Sequence, residues 1–326
     1  MQSGSATADI SVVIPSADRT ELALETVRSV LAQSRPVREI IIVANGSEEH
    51  AAFWQANAGG KVRVLRHKAG GQQAARNAGI EAALSPWVAL LDDDDLYSPD
   101  FIESVMPAIA DGRADIIATD HRKFRVDRVD RKTNFEAAPR GYWKGIRPAK
   151  AKQDWSFVDK FPLHLLLKRV PIYPSTTVIR RDFALGIGGF DSKMNGIRAE
   201  DVEFLIRALT YGTLSLVWRP LVSYRVHRGN LSNNPLFRAI GRWRVFEFAL
   251  ANHPHLQGSF CRALELDLPR RRRKIFKLAY DLGDVKLMDE AWSKLRPQDL
   301  TLAVLVLRFV ATVSRRSGAG RVAPAR

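Results

Sequence analysis

A chain of 326 residues, 46% hydrophobic and 26% charged, can bury a substantial core, which excludes a disordered or low-complexity protein. One cysteine, Cys261, excludes an internal disulfide and fits a reducing compartment. The net charge of +15 is unevenly spread, at −7 over residues 1–120, +9 over 121–170, +3 over 171–235 and +10 over 236–326, so anionic partners (nucleic acid, a membrane surface, an acidic substrate) all remain open.

Residues 1–9 lack the basic and apolar regions of a signal peptide. No apolar run reaches the ~18 residues of a spanning helix. The longest candidate, 302–313, is interrupted by Arg308. A cytoplasmic protein is expected, with peripheral contact at the inner face of the membrane.

Residues 10–14 form a near-continuous apolar run, the mark of a strand buried on both faces. A helix is expected over 20–34, with Leu24, Val27, Val30 and Leu31 on one face. Strands follow at 39–43 and 62–65 and helices at 48–57 and 72–84, punctuated by Asn45-Gly46-Ser47 and Gly70-Gly71. Alternation of this kind implies βαβ units and a mostly parallel sheet.

The strand at 87–91 runs straight into Asp92-Asp93-Asp94-Asp95. In an open α/β sheet ligands lie beyond the carboxyl ends of strands, which is where these acids stand. Four adjacent carboxylates repel one another. Mg²⁺ or Mn²⁺ would relieve that, held by one or two of them plus substrate phosphates; a solvated acidic turn is the alternative. Ser98 as N-cap and Pro99 at the first helical position then predict a helix ending near Gly112.

Residues 121–170 are basic, irregular and rich in aromatics, including Trp143 and Trp155. Strands are expected at 176–179, 214–218 and 222–226. Glu200-Asp201 opens a helix over 202–209, where acids in the first turn favour the dipole and capping alone would explain them. Residues 236–326 read as mainly helical, with a solvated basic run at 270–274, an apolar segment at 300–316 that packs on the core or lies in a membrane interface, and a disordered tail at 317–326.

Taken together, residues 9–235 resemble the family 2 glycosyltransferases, inverting enzymes of the GT-A fold, and in particular those that build bacterial cell-surface polysaccharides. Ser11-Val12-Val13-Ile14-Pro15 with Arg19 looks like the opening strand and nucleotide-contacting turn. Ala75-Arg76-Asn77-Ala78-Gly79 is similar to the segment leading into the metal strand, and residues 91–95 to the DxD-type motif. The resemblance implies that Asp94 binds the metal, while Asp92 and Asp93 contact the ribose and metal-bound groups. Gly188-Gly189-Phe190-Asp191 followed by Glu200-Asp201 resembles the acceptor-side segment whose second acid, here Asp201, is the general base. Tyr224-Arg225-Val226-His227 with Ser232 resembles the late motif whose histidine completes the metal site.

The family often has two aspartates after its second strand, the second reading the nucleobase; this chain has Ala44 and Asn45 there. An Asn amide still offers a donor and an acceptor to a pyrimidine edge, so UDP-, dTDP- and GDP-linked donors stay open. The implied fold is a Rossmann-like GT-A domain over 1–235, with a donor half at 9–120 and an acceptor half at 121–235, followed by a basic helical region. Implied donor contacts are Pro15, Arg19, Asn45, Arg76, Asp92 and Asp93. The metal is Mn²⁺ or Mg²⁺ on Asp94 and His227. Glu200, Trp143 and Trp155 face a glycan or lipid-linked acceptor, anionic given the basic segment; nucleic acid is not expected. Two rivals are a sugar nucleotidyltransferase, whose Gly-rich basic turn Pro15-Ser16-Ala17-Asp18-Arg19 does not resemble, and a non-enzymatic binder of nucleic acid or another anionic polymer.

Overall fold

The computed structural model describes residues 6–67, 70–147, 153–194, 197, 199–227, 235–256 and 258–316. It divides into two compact units, Met1–Gly196 with Glu200–Asn230, and Ile197–Ala199 with Leu231–Arg326.

The first unit opens with β1 (Ala8–Ser16), α1 (Thr20–Leu31), β2 (Val37–Ala44), α2 (Glu48–Ala56), β3 (Val62–Arg66), α3 (Gly71–Ala82) and β4 (Trp87–Leu90). β1 pairs in parallel with β2 and β4, and β2 with β3, so the apolar runs lie in the sheet interior. Val12, Val13, Ile14, Ile40, Ile41 and Ile42 are fully buried, as strands covered on both faces require. Helix α1 buries Ala23, Thr26, Val27 and Val30, and Leu31 faces solvent instead. Helix α3 lies close on β1: a Cβ at Gly79 would stand 2.2 Å from Val13 Cγ1, so only glycine allows this approach. Buried Glu39 on β2 fastens the far end of α3, accepting from Ser11 Oγ and the Leu84 N–H, both at 2.7 Å, and pairing with Arg63.

Beyond β4 come β5 (Leu96–Tyr97), α4 (Phe101–Ala110), β6 (Ile116–Phe124), β7 (Trp155–Val158), α5 (Leu165–Lys168), β8 (Thr177–Arg180), α6 (Arg181–Gly186), α7 (Glu200–Tyr211) and β9 (Leu214–Arg225). Among the described residues the sheet has nine strands in the order β3-β2-β1-β4-β8-β6-β9-β5, with β7 also on β9. β8 runs antiparallel between β4 and β6, so the parallel character of the first half gives way to a mixed second half.

Three expectations are corrected. Helix α4 starts after Asp100, its N-cap, rather than at Ser98-Pro99. The two strands expected at 214–218 and 222–226 are one, β9, which crosses Pro220 through register shifts against β6. And β6 extends through Asp120 and His121 to Phe124, so the basic segment opens as sheet rather than as loop.

The second unit is helical: α8 (Pro235–Asn252), α9 (Gly258–Leu282), α10 (Val285–Ser293) and α11 (Leu302–Arg316). Its core gathers Trp243, Phe246, Phe260, Leu264, Phe276 and Met288. The basic run in α9 is partly structural rather than only solvated. Arg271 pairs with Asp267, Arg272 Nε donates to Glu247 at 2.6 Å, and Arg273 donates to the Asp299 carbonyl at 2.8 Å. The tail expected at 317–326 and Ser232 lie outside the described residues.

Candidate active site

The carboxyl ends of β1, β2 and β4 lie side by side, and the acids leave β4 at that edge. The turn that follows β4, closed by the Asp95 N–H on the Asp92 carbonyl at 3.1 Å, sorts four identical residues into different environments. Asp92 is part-exposed, whereas Asp93, Asp94 and Asp95 are buried, Asp93 completely.

Arg19, in the turn after β1, pairs with Asp93 and donates to Asp94 Oδ2 at 2.8 Å. Burial pushes the Asp93 carboxyl up to about 7, with Arg19 pulling it back. Asp93 is thus a completely buried partner of Arg19, and Asp92 is the most exposed of the four acids. Asp95 faces inward, accepting from the Arg225 N–H at 2.9 Å, while its carbonyl accepts from Thr26 Oγ1 at 2.8 Å. Burial drives its carboxyl well above the usual range.

His227 follows β9, and its Nε2 lies 3.1 Å from Asp94 Oδ2. Arg225 Nε donates to the Asp94 carbonyl at 2.9 Å, which ties the end of β9 to the acidic turn. Among the described residues no group of three or more His, Cys, Asp or Glu side chains forms a metal cage. Asp94 and His227 form a pair.

The second acidic pair comes from α7. Arg76, on α3 and 2% exposed, donates to Asp92 Oδ1 at 2.7 Å and to Glu200 Oε1 at 3.3 Å, with its guanidinium 5.2 Å from the Phe190 ring centroid. It therefore bridges the acid after β4 and the first acid of α7. Burial, then the neighbouring Glu200, pushes Asp201 up to about 7, against the pull of Arg76. Asp201 also feels the Asp92 charge, so the two acidic sets share one electrostatic neighbourhood.

Helix α7 is fixed by the turn before it. Gly188 and Gly189 adopt left-handed φ, and Asn77 holds Phe190 by two hydrogen bonds of 2.8 Å. Arg207 grips buried Glu203 through Nε at 2.6 Å and Nη2 at 2.7 Å, and also donates to the Ile187 and Gly189 carbonyls.

The other expected residues fall elsewhere. Pro15 is a buried rung of β1 opposite Val43. Asn45 stands at the end of β2, its N–H on the Ser16 carbonyl at 3.0 Å. Trp143 is half-buried in a cluster with Phe135, Tyr142 and Trp218, its Nε1 donating to the Phe135 carbonyl at 3.0 Å. Trp155, on β7, pairs with Val217 near the amino end of β9, whereas the acids meet the carboxyl end at Arg225.

Several contributors carry no mark in the sequence. Ser175 Oγ accepts from the Asp92 N–H at 3.1 Å, and Gln72 donates to Asp92 Oδ1 at 3.3 Å. His121 is buried between Tyr173 and Tyr224, and desolvation lowers its pKa to about 3, so it is neutral. Arg225 could have been found from its place in the Tyr224-to-His227 motif.

The family model described as Glycosyl transferase family 2 matches residues 11–172, which include most of β1 and the four acids. Over these residues the chain is similar to glycosyl transferase family 2.

Glycosyltransferase GlyG of Streptococcus pneumoniae is 31% identical over 114 residues, 33% of this chain and 37% of that protein. An uncharacterized glycosyltransferase of Rickettsia conorii is 38% identical over 96 residues, 29% of this chain and 16% of that protein. Across the first four curated relatives the match spans only 16–41% of their length. Among solved structures, S. aureus TarS 1-349 in complex with UDP-GlcNAc is similar at TM-score 0.61 and 14% identity, over 95% of this chain and 92% of that one. At that identity the likeness is one of fold, and it extends beyond residues 11–172 into the helical region.

Proposed function

We propose that this chain is an inverting glycosyltransferase that moves a sugar from a nucleoside diphosphate donor to a hydroxyl of a glycan or lipid-linked acceptor. The observation that carries this is Arg76, which joins Asp92 at the strand end to Glu200 on α7 and lies in the field of Asp201. Acids suited to the donor and an acid suited to a base thereby belong to one cluster. The fold neighbour in complex with UDP-GlcNAc supports a UDP-linked donor.

The donor set at Asp94 suits a hard divalent cation. Asp94 Oδ2 and His227 Nε2 lie 3.1 Å apart, which brings a carboxylate and an imidazole together at one point. These two residues would hold Mn²⁺ or Mg²⁺. When bound, the cation neutralises the leaving diphosphate.

The chain's own residues do the rest. Asp92 faces the ribose, Arg19 adds positive charge beside the diphosphate, and Arg225 fixes the turn that carries Asp94. Asp201 takes the proton from the acceptor hydroxyl as it attacks the anomeric carbon from the face opposite the diphosphate. A base with a pKa near 7 is well matched to that task at neutral pH. The charge of +9 over residues 121–170 favours an anionic acceptor.

The test is nucleotide release from a panel of UDP-, dTDP- and GDP-sugars, with the anomer of the first-formed product followed by NMR. An α-linked donor is expected to yield a β product; an α product would refute inversion. Because the base acts deprotonated, the rate should rise with pH through about 7 and then level. Glu200→Gln removes the like charge beside Asp201, so the rise should move to lower pH; an unmoved profile would count against Asp201 as the titrating group.

A further inference from the structure

The second unit carries an apolar surface that its own core does not use. Helix α11 turns Val304 and Ala311 inward, and Arg308 pairs with Asp289 while lying 5.2 Å from the Trp292 ring centroid. The opposite face presents Leu302, Leu305, Val306, Phe309, Val310 and Val313, all exposed, with Leu302 at 78% and Phe309 at 69%. At 3.6 residues per turn these six fall within an arc of about 140°, one continuous stripe. Contiguous exposed apolar surface of this kind marks an interaction site.

What covers it follows from charge. Residues 231–326 hold 18 Lys and Arg against eight Asp and Glu, so pairing every acid still leaves a net +10. A second copy of the same unit would bring a second +10 against the first. An anionic bilayer surface instead satisfies both features: acyl chains take the stripe and headgroups take the excess cations.

We propose that α11 docks flat on an anionic membrane surface through this stripe, holding the chain at the bilayer without crossing it. No helix among the described residues is long and apolar enough to span one. The proposal concerns the second unit alone and stands or falls independently of the chemistry proposed for the first.

The experiment is sedimentation of the full chain with vesicles of phosphatidylcholine alone, or of equal parts phosphatidylcholine and phosphatidylglycerol, at low and high salt. Binding is expected on the anionic vesicles and should weaken by about tenfold or more as salt screens the headgroups. Leu302→Ser with Phe309→Ser, both on solvent-exposed positions, should lower it by about tenfold or more with an unchanged unfolding midpoint. Equal binding to both vesicle types, binding that ignores the double substitution, or no vesicle binding with a concentration-dependent dimer that the substitutions abolish would each overturn the proposal.

Discussion

Asp201→Asn should reduce glycosyl transfer by roughly 10²- to 10⁴-fold, the usual worth of a positioned general base, while donor binding stays near wild type. An amide keeps the shape of the side chain and removes its ability to accept a proton. The substitution should not unfold the protein, and its effect on stability has a sign that can be checked. The Asp201 carboxyl, pushed up to about 7 from an ordinary 3.8, binds its proton more tightly folded than unfolded. Wild-type stability from this group is thus full below pH ~4 and lost as pH rises through about 7. Asn carries no such proton, so the variant should lose less stability over that window than wild type does. Near wild-type transfer by a folded Asp201→Asn would remove Asp201 from the role.

Arg76→Met should be the most destabilising single change near the site, at about 3 kcal/mol by urea unfolding. The guanidinium is buried between Asp92 and Glu200, and Met fills the stem's volume while leaving both carboxylates without it. The cost stays at the lower end for a broken buried pair because both acids keep some solvent contact. The same change removes the positive charge that holds the Asp201 pKa down, so residual activity should rise only at higher pH. A loss below about 1 kcal/mol would mean that the acids are solvated well enough not to need Arg76.

The first half of the fold was legible because its strands are buried on both faces and therefore apolar throughout. β1, β2 and β4 announce themselves, and so does the abrupt change to four acids at the strand end. The second half was harder for a physical reason. β6 continues through Asp120 and His121, which are buried yet polar, because Asp120 Oδ1 accepts from the His121 and Phe135 N–H groups at 2.7 and 2.9 Å. A hydrophobicity pattern has no way to register that compensation. The insertion of β8 between β4 and β6 is a long-range pairing of a four-residue strand, and nothing in its sequence names its neighbours.

The site divides the same way. Motif order located the acids, but four identical residues carry no sign of which is exposed; the turn after β4 decides that Asp93 pairs with Arg19 while Asp92 is part-exposed. Arg76 was legible as a site residue, not as a bridge, because its partners lie 16 and 124 positions away. Trp143 and Trp155 looked equivalent in the sequence, yet one braces an aromatic cluster and the other sits near the far end of β9.

The most direct measurement is the shift in melting temperature given by UDP with and without Mn²⁺, on wild type and on Asp94→Asn. A ligand that binds only the native state raises stability by RT ln(1 + [L]/Kd), about 2.7 kcal/mol at a hundredfold excess over Kd. A shift that needs both UDP and Mn²⁺ in wild type and disappears in Asp94→Asn is the predicted result. A shift indifferent to the metal and to Asp94, or none with UDP, dTDP or GDP, would contradict a cation-assisted diphosphate site at the end of β4.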